Sequence, residues 1–135
     1  LSDKRLKKNV RDMRNIKDAY MDLRPVEYEY RKGVSDGCKK QFGVIAQQIR
    51  KDLRGYGINP DEYDIVRESD PLPDTKEGKY VNDKVLRVDY DQFHAMHIQM
   101  IQMQQREIEL LKQKNEELER RLSTIERSVS HAEDI

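Results

Sequence analysis

A serine and a lysine stand five positions apart at the start of the chain, in Leu1-Ser2-Asp3-Lys4-Arg5-Leu6-Lys7-Lys8. A serine hydroxyl becomes a nucleophile when a base takes its proton, and a lysine can be that base once its own ammonium is deprotonated. Lys4, Arg5, Lys8 and Arg11 surround Lys7 with like charge, which favours the neutral amine, while Asp3 works the other way. A five-residue step puts the two side chains on one face of neither a helix nor a strand. A bend or a neighbouring chain must bring Ser2 to Lys7. Read as residues alone, the segment is first a basic tail, solvated or touching phosphate.

Other groups invite chemistry less strongly. His94 and His97 fall at inward positions of a C-terminal helix, where several copies would gather imidazoles around one axis. No carboxylate or cysteine joins them at ligand spacing, so packed or water-bridged histidines fit better than a metal site. Met96, Met100 and Met103 suit gap-filling beside them. A single Cys38 excludes an internal disulfide and has no metal or catalytic partner in sequence. Tyr28 and Tyr30, interleaved with Arg24 and Arg31, imitate a nucleic-acid stacking strand. Yet 26 basic residues balance 26 acidic ones, so no global field draws the chain to nucleic acid or a membrane surface. No run approaches the roughly 18 apolar residues of a membrane span, and the N-terminus lacks a signal-peptide pattern. The expectation is no cofactor, no metal, no nucleic acid and no membrane.

The elements that would position Ser2 and Lys7 are an α+β head and a long C-terminal helix. Val10, Met13, Ile16, Tyr20 and Leu23 recur at steps of three and four and predict a helix ending before Arg24-Pro25. Val26, Tyr28 and Tyr30 alternate with charged residues as a strand, followed by a glycine-bearing hairpin loop over 32–40 and a second strand over 41–45. A short helix from Ala46 to about Arg54 would bury Ile45, Ile49 and Leu53 and stop at Gly55 and Gly57. Residues 56–80 carry three prolines and read as a projecting loop arm, its tip at 69–78. Lys84 to Val88 is a strand, and Asp89 caps the helix that follows. The head is thus 1–89 and the stalk 90–135.

Along the stalk, Ile101, Gln104, Ile108, Leu111, Asn115, Leu118, Leu122, Ile125, Val129 and Ala132 form a seven-residue repeat among Glu, Lys, Arg and Gln. Charged residues are 39% of the chain, too many for such a helix to lie in its own globular core. The stripe predicts a parallel coiled coil between copies of the chain, with Asn115 setting register. Ile101, Ile108, Leu111, Asn115, Leu118, Leu122, Ile125 and Val129 would be its interface. Mixed Ile, Leu and Val cores leave dimer and trimer both open.

Four segments occur together in order: Ser2-Asp3-Lys4-Arg5-Leu6-Lys7, Leu23-Arg24-Pro25-Val26-Glu27-Tyr28, Phe42-Gly43-Val44-Ile45-Ala46-Gln47-Gln48, and Val88-Asp89-Tyr90 leading into a Gln-rich helix. This set resembles the self-cleaving intramolecular chaperone domain at the C-terminus of phage tailspikes, tail fibres and endosialidases, and of the neck appendage proteins of Bacillus phages. The resemblance implies a homotrimer that guides folding of the preceding fibre of the same polypeptide in the host cytoplasm during virion assembly. It implies release by autoproteolysis, with Ser2 as nucleophile, Lys7 as proposed base and the Leu1–Ser2 bond as the one cleaved. Leu1 is then a remnant of the preceding fibre. Two alternatives are a permanent trimerisation or adhesion module with Ser2 and Lys7 inert, and the homologous cleavage domain of a membrane-tethered transcription factor.

Overall fold

Ile49 and Leu53, one helical turn apart, are almost wholly buried, and the first unit of the protein is built around them. A computed structural model of the chain describes residues 1–31, 34, 37, 39–70 and 84–134. It divides into two units, Leu1–His97 and Ile98–Ile135.

In the first unit, helix α1 (Lys17–Met21) leads to strand β1 (Val26–Tyr28), which pairs antiparallel with β2 (Gln41–Gly43) in the register Val26 to Gly43 and Tyr28 to Gln41. Helix α2 (Ala46–Gly55) follows at once. A 3-10 turn at Pro60–Glu62 then leads to β3 (Val66–Ser69), antiparallel to β4 (Val85–Val88). Ile16, Ala19, Ala46, Ile49, Leu53, Ile58, Ile65, Val66 and Phe93 make one core. Burying each of its large side chains contributes about 1.5–3 kcal/mol against chain entropy. Helix α2 runs as its periodicity predicts, and the backbone N–H groups of Tyr56, Gly57 and Ile58 return to the carbonyls of Leu53 and Arg54 to close it. Gly57 takes the left-handed conformation, φ 72°, that such a stop favours. Ile45, expected inside, stands in extended backbone just before the helix and is 45% exposed.

Two expectations are corrected. The helix read from Val10 to Leu23 is only α1, because the side chain of Asn15 accepts the backbone N–H of Lys17 at 2.9 Å and starts the helix there. Upstream, Asn9 has φ 54°, which a right-handed helix does not admit, and Val10 and Met13 are exposed. The early part of the expected arm does not project either. Ile58, Pro60, Ile65 and Val66 are buried, and Val66–Ser69 is a strand. Residues 71–80 of that arm lie outside the described residues, as does Cys38 in the hairpin loop.

The second unit consists of one helix. α3 (Gln92–Glu133) begins in the first unit, where the Asp89 side chain accepts the N–H of Asp91 at 3.1 Å and its carbonyl accepts that of Gln92, the cap its sequence predicts. From Gln104 to Asp134 every residue is exposed in the single chain, the repeat from Ile108 to Val129 included. Among the described residues no helix is long and apolar enough to cross a membrane.

Candidate functional site

The N-terminal motif folds locally into one tight turn. Lys4–Leu6 is a 3-10 turn in which the N–H of Leu6 reaches the carbonyl of Asp3 at 3.0 Å and that of Lys7 the carbonyl of Lys4 at 3.1 Å. Asp3 caps it, accepting the Arg5 N–H at 2.9 Å, and its carboxylate is gripped by the Arg5 guanidinium at 2.7 Å. Ser2 and Lys7 stand just outside the two ends of this turn, both exposed. Among the described residues no hydrogen bond joins them. The turn thus lies between Ser2 and Lys7, and the approach of lysine to serine is not made. Hydrogen bonds from Arg5 hold the Asp3 carboxyl below the usual carboxylate range. Asp3 is thus an ionised, occupied group and a poor proton acceptor.

The other motif segments meet at Gly43. A methyl group there would lie 2.6 Å from the Tyr90 hydroxyl and 3.0 Å from the Tyr28 ring, so only glycine allows this approach. The Tyr90 oxygen also accepts the backbone N–H of Val44 at 3.3 Å. Tyr28 and Tyr30 touch through their hydroxyls at 3.3 Å with rings edge to face. The hydrogen bond shared with Tyr30, then burial, push the Tyr28 phenol up to about 12. The two hairpin strands and the helix entry, dispersed from Tyr28 to Tyr90, are thus one contact. Sequence reasoning found the segments and missed the contact, although a glycine in a strand is a usual signal of close approach.

The remaining candidates fall into place as structure. His97 shares a hydrogen bond with the Tyr20 hydroxyl at 3.0 Å and stacks on Phe93, while His94 pairs with Asp91 at 3.4 Å. Met96 lines a cleft of about 480 Å³ together with Met13, Ile16, Leu53, Ile58 and Ile65. Among the described residues no group of three His, Cys, Asp or Glu is arranged to hold a metal ion. Phe42, on the outer face of the first hairpin opposite Glu27, is 85% exposed.

Fold and site together define a class: an α+β unit with a serine–lysine segment at its start and a long amphipathic helix at its end. Comparison with known proteins sharpens it. The Peptidase_S74 family, described as "Chaperone of endosialidase", matches residues 2–58, which begin at Ser2 and hold three of the four segments. A crystal structure described as that of "a novel intramolecular chaperon" has a similar fold, with a TM-score of 0.52 and 21% identity over 77% of this chain and 99% of that one. No curated protein matches the chain. The resemblance read from the segments is borne out over residues 2–58, where the family described as a chaperone of endosialidase matches.

Proposed function

We propose that this chain is a releasable folding guide: it trimerises through α3, assists folding of the phage fibre or appendage that precedes it in the same polypeptide, and is then cut free at Ser2. The observation that carries the reading is the family match that starts at Ser2 and runs through the turn ending at Lys7. The exposed apolar stripe of α3 supports assembly, since a stripe of that length needs a partner helix.

In the reaction, Ser2 Oγ attacks the carbonyl carbon of residue 1 as neutral Lys7 takes the hydroxyl proton. The C–N bond breaks, Lys7 returns the proton to the amine of Ser2, and an ester links residue 1 to Oγ. Water hydrolyses that ester, leaving a carboxylate and a free Ser2 hydroxyl. Nucleophile and scissile bond share one chain, so orientation alone can supply roughly 7–11 kcal/mol of barrier lowering. A folded fibre upstream would supply the orientation that brings Lys7 in. Cleavage then follows correct folding.

The test is the full-length parent protein on a denaturing gel. Two bands that become one with Ser2→Ala support the reading; one band from the unaltered protein makes the domain a permanent trimerisation or adhesion module.

A further inference from the structure

Asp3 and Arg5 lie inside the turn that separates Ser2 from Lys7, and their contact exceeds what a helix cap requires. One carboxylate oxygen accepts the Arg5 backbone N–H at 2.9 Å and Nε at 3.2 Å, while the other accepts Nε at 3.1 Å and a terminal guanidinium nitrogen at 2.7 Å. This two-pronged geometry belongs to arginine and is not reproduced by lysine. Both side chains are exposed, so the pair adds little to overall stability. Its influence on the adjacent lysine is the larger matter. The charged groups nearest Lys7 in sequence are Lys4, Arg5, Lys8 and Arg11, with Asp3 the one carboxylate among them before Asp12. Among the described residues no charged group of another element pairs with Lys7. A carboxylate free to reach Lys7 would hold it as ammonium and silence it as a base.

Resting on the reading of Ser2 and Lys7 as nucleophile and base, we propose that Asp3 and Arg5 are positioning residues for the cleavage: the pair closes the turn that carries Ser2 and Lys7 at its ends and keeps the neighbouring carboxylate off Lys7. Arg5 engages both oxygens of the Asp3 carboxylate. The sequence itself places a carboxylate one residue after the nucleophile, where it would harm the base if it were unoccupied.

The experiment follows release from the full-length protein against pH on denaturing gels, with protease resistance of the fibre reporting folding. Arg5→Gln opens the pair and frees the carboxylate. Release should slow about three- to tenfold near neutral pH, and the midpoint of its rise with pH should move up by roughly half a unit. Adding Asp3→Asn removes the freed carboxylate and should return the midpoint while the plateau rate stays low, because the turn remains open. Arg5→Lys keeps the charge without the two-pronged grip, should fall between, and serves where Arg5→Gln fails to fold. Unchanged rate and midpoint in both Arg5 variants overturn the proposal. So does a slower rate with a fixed midpoint that the second substitution leaves alone, which makes the turn merely structural. Release that survives Ser2→Ala removes the nucleophile reading and this proposal with it, a result distinct from either of those.

Discussion

The two units bury their apolar residues in opposite ways. In the first, Ile16, Ile49, Leu53 and Ile65 are covered by their own chain. In the second, Ile108, Leu111, Leu118 and Ile125 are each about half exposed. One unit covers its own apolar residues and the other leaves an apolar stripe uncovered, and on the proposed function this division separates assembly from chemistry. On the proposed function, the 42-residue helix with its apolar stripe would gain its stability from association rather than propensity.

The sharpest break between the units is chemical. Ser2→Ala in the full-length protein should abolish release while leaving the assembly intact, and Lys7→Arg should do the same, since an arginine remains protonated at any working pH. If Lys7→Arg cleaves at the normal rate, Lys7 is not the base. Next in size is Leu118→Glu, which would place one like charge per chain around a shared axis and should cost several kcal/mol. Light scattering should find the isolated chain trimeric and the variant dissociated, with the head's far-ultraviolet strand signal retained. A monomeric unaltered chain at micromolar concentration would refute the assembly. Gly43→Ala should act on the head alone: with the Tyr90 hydroxyl 2.6 Å from the added methyl, crowding should cost about 1–3 kcal/mol and lower the head's melting temperature, leaving oligomeric state unchanged.

The smallest effect concerns alkali. Tyr28 titrates near 12 in the folded head against an ordinary value of 10, so the folded state holds its proton more tightly. Its contribution is whole below pH 10 and is lost as pH rises from 10 to 12. Tyr30→Phe removes the largest cause of the shift and should flatten head stability across that window in a chemical-denaturation series.

The sequence was most legible where one period served one element. Ile49 and Leu53 on α2, the Val26–Tyr28 alternation and the heptad of α3 each needed no distant information. It misled where period and burial parted. Val10 and Met13 keep helical spacing yet lie exposed, because Asn15 starts the helix later, and that asparagine was itself a visible signal. Around β3 only Ile65-Val66 looked like strand in the sequence, and its extension to Ser69 did not show because Arg67 and Glu68 face solvent and break the alternation. For the site, residue types and motif order pointed to Ser2 and Lys7, but the Asp3–Arg5 grip and the Tyr90–Gly43 contact depend on geometry that spacing does not encode.

The contact between Tyr90 and the Gly43–Val44 backbone also sets a clock. Closing it ties together residues 46 positions apart, a loop that must be searched for, whereas every hydrogen bond of α3 is local. Helices form within about a microsecond, and non-local pairings come later. In each new chain the local hydrogen bonds of α3, and those of the turn that follows Ser2, therefore form early, and the closure of Tyr90 onto its glycine comes last.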